Sequence, residues 1–189
     1  MENISYIIDI NAISIKNFCK LGFWKKNKIK NIVDKNYQSH FQTAKNSGGF
    51  NFPIEDDENL FFEQLYQKFL LCSKDIFGNF KLSNRNSKKC FCYRGNKDDM
   101  GIRYDYWWHN HVHSSTINSV YYLQVHNDGI SFKKDNLQYD YLPEDGELLI
   151  FPSTLIHAPQ PNRSKKYRYS INMEIITEES VDCLFSRIF

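Results

Sequence analysis

Three histidines alternate with other residues in the stretch Trp108-His109-Asn110-His111-Val112-His113, and His157 follows an apolar run further along the chain. Five of the six histidines lie between His109 and His157. Imidazole nitrogen binds first-row transition metals well. Side chains of a strand alternate between its faces, so one strand can offer two of these rings to a single ion. Two such ligands leave the rest of a coordination sphere for a third ligand and for small molecules. The competing reading is a row of solvated histidines on an exposed strand.

Eleven residues after His157, Arg168 and Ser170 share a strand face with Asn172, while Tyr167, Tyr169, Ile171 and Met173 occupy the other. On a half-exposed antiparallel strand the polar face would lie in water. Inside a barrel, the arginine fork and the hydroxyl would instead grip a carboxylate.

The elements that must position these groups divide into a helical lead-in and a β body. From Glu58 to Phe77 apolar residues recur at helical spacing, with Asp56 or Asp57 available as a cap and Gly78 as a stop. The spacing predicts strands over Cys90–Arg94, Ile102–His113, Ser119–Val125, Ile130–Lys134, Glu147–Pro152 and Tyr167–Thr177, with His157 in the loop between the last two. Turns are expected at Gly95 to Gly101, His126 to Gly129 and Pro143 to Gly146. Residues 1–57 are expected to hold a lead-in strand, a short helix and a loop with a turn at Gly48 and Gly49. The whole reads as a single mainly β domain over 1–189, with a lead-in at 1–89, a β core at 90–177 and a tail at 178–189.

A chain of 189 residues with a net charge of +2, spread over 24 basic and 22 acidic residues, gives no electrostatic support for nucleic-acid or membrane-surface binding. Aromatic residues make up 16% of it, which suits half-buried strands. Five cysteines, an odd number, together with no recognisable hydrophobic leader, point to a reducing cytoplasm. Cys90 and Cys92 are too closely spaced for a normal zinc pair and read as alternate residues of a strand. No apolar run is long enough to suggest a membrane span.

The order His111-x-His113, Tyr121-Tyr122-Leu123, Gly146 to Ser153, His157 and Arg168-x-Ser170 resembles the 2-oxoglutarate and Fe(II)-dependent oxygenases, in particular the compact bacterial and phage members of the prolyl-hydroxylase-like branch. The resemblance spans roughly Tyr104 to Ile176. It implies a double-stranded β-helix, a jelly-roll related to the cupins, with N-terminal helical elements packed outside the sheet. It also implies Fe(II) held by His111, His113 and His157, with 2-oxoglutarate held by Arg168, Ser170 and Tyr122. Dioxygen would be the second co-substrate and C–H hydroxylation the default outcome.

His113 falls where the superfamily usually carries Asp or Glu. Three arrangements are open: His113 completes a three-histidine site, water or Asp105 takes its place, or the register shifts to His109 and His111. Two rival functions also stand, a three-histidine cupin-like metalloenzyme without 2-oxoglutarate and a non-catalytic binding module on the same fold. The expected partner is a small molecule or a peptide side chain, with the loop Tyr37 to Pro53 and Trp107 or Trp108 as candidate pocket walls.

Overall fold

The computed structural model of the chain describes residues 3–36, 48–51, 59–86, 89–95 and 108–189. Asp56, Asp57, Asp105, Trp107 and most of the Tyr37 to Pro53 loop, all assigned roles above, lie outside these residues. In chain order the elements are β1 (Asn3–Ile7), β2 (Ala12–Lys16), α1 (Phe23–Asn36), β3 (Gly48–Asn51), α2 (Asn59–Phe77), β4 (Lys89–Gly95) and β5 (Ile117–Gln124). They continue with β6 (Ile130–Lys134), β7 (Leu137–Tyr141), β8 (Leu148–Pro152), β9 (Ile156–Pro159), β10 (Arg168–Ile175) and α3 (Val181–Phe185).

Two antiparallel sheets result, as the alternating texture of the sequence requires. The larger runs β1-β2-β8-β5-β10-β4-β3 and the smaller β7-β6-β9. The period of two sorts the side chains of the large sheet cleanly. Ile13 and Ile15 of β2, Ile117, Tyr121 and Leu123 of β5, Leu148 and Ile150 of β8, and Tyr169, Ile171, Met173 and Ile175 of β10 all enter one apolar cluster. That cluster is closed by Ile29, Ile32 and Val33 of α1, by Phe62, Leu65, Tyr66 and Phe69 of α2, and by Leu184 and Phe185 of α3. The helices therefore cover the outer face. Each fully buried side chain such as Phe69 contributes roughly 1.5–3 kcal/mol.

The intervening positions face the small sheet. Ala12, Val120, Tyr122, Leu149 and Phe151 pack with Ile130 and Phe132 of β6 in a second, smaller apolar cluster. The even-numbered face of β10, which begins with Arg168 and Ser170, opposes β5 through the Ser170–Tyr122 and Asn172–Val120 pairs. It thus belongs to the interior between the sheets rather than to water.

Several expectations are corrected. The β body begins at Asn3 rather than at residue 90, because the β1–β2 hairpin pairs Ile13 and Ile15 with β8. Gly48 and Gly49 form an edge strand on β4 rather than a turn, since ladder hydrogen bonds need no side chains. His157 lies in strand β9, opposite Phe132, instead of in a loop. Of the strand expected over Ile102–His113, residues 102–107 lie outside the described residues; the rest holds an isolated bridge at His109 and then a turn over 112–114, in which the Ser114 and Ser115 N–H groups both donate to the His111 carbonyl. Gly78 ends α2 in the left-handed region at φ +77°, as a C-terminal glycine should. Among the described residues no helix is long and apolar enough to cross a membrane.

Candidate active site

The site is assembled where a short segment crosses to the small sheet. His109 and His157 form an isolated antiparallel bridge and exchange both backbone hydrogen bonds, each at 2.9 Å. Residues paired in this way project from the same face, and the two rings meet at 4.4 Å between centroids. Two residues on, His111 repeats the orientation, anchored by its N–H to the Ser153 carbonyl at 2.9 Å. Its ring lies 5.1 Å from both of the others.

One ligand atom from each of His109, His111 and His157 lies within 4.8 Å of the others. That is the donor set of a three-imidazole metal site, and first-row ions accept such nitrogen donors. His113 is not in the group. The turn after His111 breaks the alternation, and His113 is left exposed. Of the three arrangements open in the sequence, the geometry matches the shifted register, with His109 and His111 from one segment.

The rings are also held from behind. His157 Nδ1–H donates to the Leu155 carbonyl at 2.9 Å, so its Nε2 carries the lone pair. Burial, reinforced by His109 and His111, pushes the His157 pKa down to about 3. Its neutral, metal-binding form is therefore present at physiological pH. The ring packs against Phe151 and Phe132, with centroids 4.8 and 6.3 Å away. His111 Nδ1 donates to Glu174 Oε1 at 2.8 Å, which leaves its Nε2 as the free ligand atom.

Arg168, Ser170 and Tyr122, expected to bind a co-substrate, all come to the interior face. Arg168 is almost wholly buried beside the Tyr93 ring. Its Nη1 donates to Asp128 Oδ2 at 2.8 Å, to the Gln160 carbonyl at 2.9 Å and to the Gly129 carbonyl at 3.3 Å. Its Nη2 is buried with no hydrogen-bond partner among the described residues. A buried guanidinium donor left over in this way suits a carboxylate. Burial raises the Tyr122 hydroxyl well above the ordinary tyrosine range, so it stays a neutral donor.

Two contributors were not foreseen. In the sequence Asp128 marks only a turn, and no spacing links it to Arg168. Its Oδ1 accepts from the His126 N–H at 2.9 Å, which aims Oδ2 at the arginine. The next residue, Gly129, packs against the chain at Tyr141, where a Cβ would fall 2.0 Å from the carbonyl oxygen. Glu174 did leave a signal, because it continues the even-numbered series 168, 170, 172 on β10.

Solved structures with the same chain path settle the fold. A prolyl hydroxylase from Trichoplax adhaerens, in complex with a hypoxia inducible factor peptide fragment, is 14% identical and superposes with a TM-score of 0.64 over 89% of this chain and 84% of its own. The chain has the double-stranded β-helix fold of the 2-oxoglutarate and Fe(II)-dependent oxygenases. A 2OG-Fe(II) oxygenase family oxidoreductase from Burkholderia pseudomallei shares this double-stranded β-helix at 10% identity and TM-score 0.62, covering 86% of this chain and 82% of its own. The dioxygenase for auxin oxidation 1 from Arabidopsis thaliana, bound to 2-oxoglutarate, does so at 9% identity and TM-score 0.63, covering 90% and 84%. No protein-family model and no curated protein matches the sequence.

Proposed function

We propose that the protein is a 2-oxoglutarate- and Fe(II)-dependent oxygenase that hydroxylates a C–H bond of a small metabolite, an amino acid or a peptide side chain. The convergence of His109, His111 and His157 within 4.8 Å, in this fold, carries the reading. The spare buried Nη2 of Arg168 supports it. A peptide side chain gains support from the prolyl hydroxylase, whose structure contains a peptide fragment.

His109, His111 and His157 would hold the ferrous ion, leaving coordination positions for small molecules. Bound together, ferrous iron, 2-oxoglutarate and dioxygen supply the oxidation of C–H to C–OH, with 2-oxoglutarate converted to succinate and carbon dioxide. Arg168 Nη2, with the Ser170 and Tyr122 hydroxyls, binds the distal carboxylate of 2-oxoglutarate. Asp128 and the Gly129 and Gln160 carbonyls saturate Nη1 and so fix the guanidinium plane. Phe132 and Phe151 keep water from the buried side of His157.

One observation favours a second reading, a three-histidine metalloenzyme without 2-oxoglutarate: Asp128 already neutralises Arg168. The two separate in an anaerobic titration of the iron-loaded protein with 2-oxoglutarate. The oxygenase develops the visible metal-to-ligand charge-transfer band, and Arg168→Ala loses it at the same 2-oxoglutarate concentration. Tight iron binding with no band at saturating 2-oxoglutarate establishes the second reading instead.

A further inference from the structure

The usual metal set of this fold pairs two imidazoles with one carboxylate, whereas the cluster among the described residues here consists of three imidazoles. Three neutral rings by themselves leave the whole charge of a divalent ion uncompensated. A carboxylate nevertheless stands directly behind one of them. Glu174 Oε1 lies 2.8 Å from His111 Nδ1, and its side chain is only 15% exposed. The Ser114 hydroxyl approaches the same oxygen at 3.4 Å.

The placement follows from the strand. Glu174 sits opposite Asn118 on β5 and opposite Lys89 on β4, three alternations along the polar face from Arg168. The face that begins with Arg168 therefore ends on an acid beside the histidine cluster. In the shifted register His111, two residues after His109, takes the place that the resemblance assigned to His113, where the superfamily usually carries Asp or Glu.

We infer that Glu174 is a positioning residue that returns the missing negative charge to the site through His111 rather than by coordination. This rests on the metal-site reading above. By accepting the Nδ1 proton, the carboxylate fixes the tautomer that frees Nε2, holds the ring plane and makes the imidazole a stronger donor. Carboxylates behind metal-bound histidines act in this way generally, and their loss costs roughly 10- to 100-fold in metal affinity.

The test is a titration of the metal-free full chain with Co(II), followed by its visible absorption, for the parent, Glu174→Gln and Glu174→Ala. Glutamine keeps the size and a hydrogen-bond acceptor but removes the charge, and so covers the case in which the alanine variant fails to fold. Weakening of Co(II) binding by roughly 10- to 100-fold in Glu174→Gln supports the inference. Unchanged affinity in that variant overturns it, whatever alanine does. A loss as complete as that of His111→Ala makes Glu174 a direct ligand and also overturns it. A parent that binds no Co(II) removes the metal-site reading itself, a failure distinct from the other two. Proton NMR of the cobalt protein adds a signature that a merely structural role would not move. The metal-shifted ring N–H of His111 persists in water for the parent and is lost to solvent exchange in Glu174→Ala.

Discussion

Asp128 Oδ2 and Arg168 Nη1 meet at 2.8 Å with both side chains at most 2% exposed, so the proposed co-substrate anchor is half of a buried ion pair. Removing one partner of such a pair strands the other charge, at a cost of about 3–5 kcal/mol. Asp128→Ala and Arg168→Ala are each expected to lower the melting temperature by roughly 6 °C or more for a domain of this size. The double variant Asp128→Leu with Arg168→Met is expected to recover part of the loss. A calorimetric scan that finds either single variant as stable as the parent contradicts the pairing.

The exposed position of His113 separates it from its neighbours in a metal assay. His109→Ala and His111→Ala should each deplete bound iron severely, while His113→Ala should bind it within about threefold of the parent, as expected for a side chain outside even the 10- to 100-fold range of outer partners. Iron affinity of the purified variants, measured anaerobically, decides the matter. Severe loss in His113→Ala with retention in His109→Ala would restore the unshifted register.

Titration of the metal-free protein should betray the buried imidazole. The folded-state pKa of His157, about 3, lies below its ordinary value of 6.5, so the unfolded chain takes up the proton first. Its contribution to stability is complete above pH 6.5 and is lost as pH falls from there towards 3. By pH 5 the loss amounts to about 2 kcal/mol. Urea unfolding at pH 7.5 and pH 5 should show a larger drop for the parent than for His157→Leu. Equal drops would mean that His157 titrates normally in the folded state.

Cys90 and Cys92 point to the helix-covered face, away from the histidines, and both are buried. Replacing both with Ser should leave iron loading intact while costing roughly 1–3 kcal/mol for each hydroxyl left without a partner. Metal content beside a denaturation curve reads both effects, and loss of iron in a folded double variant would bring the thiols back into the chemistry.

Where the chain obeys a simple period, the fold could be read in advance. Strand β10 announces itself by its bulky and polar faces, β8 by its apolar run, and α2 by helical spacing ending at Gly78. Strand β7 escaped because it is largely exposed, and because its hairpin turns on Asp135 and Asn136, both at positive φ, without a glycine to mark the turn. The β1–β2 hairpin hid behind a similar device, a short 3-10 turn closed by Asn11 at φ 52°.

At the site, the types of residue were legible but the register was not. His111, His157, Arg168, Ser170 and Tyr122 all reach the interior. Whether His109 or His113 joins them depends on two N–H groups turning the chain at the His111 carbonyl, which no alternation rule contains. Asp128 was illegible for another reason. Its partner lies 40 residues away, and their meeting depends on how β5 crosses to the small sheet.

The bridge between His109 and His157 ties two stretches of chain by one reciprocal pair of backbone hydrogen bonds. An ion held by both would act as a clasp, turning a local contact into a cross-link that exists only in the folded state. Ligand linkage then makes endurance a function of metal supply: an ion present at a hundred times its dissociation constant adds about 2.7 kcal/mol. On the proposed reading, a shortage of iron thus leaves not merely an idle site but a more perishable protein, whose abundance would itself report on the metal.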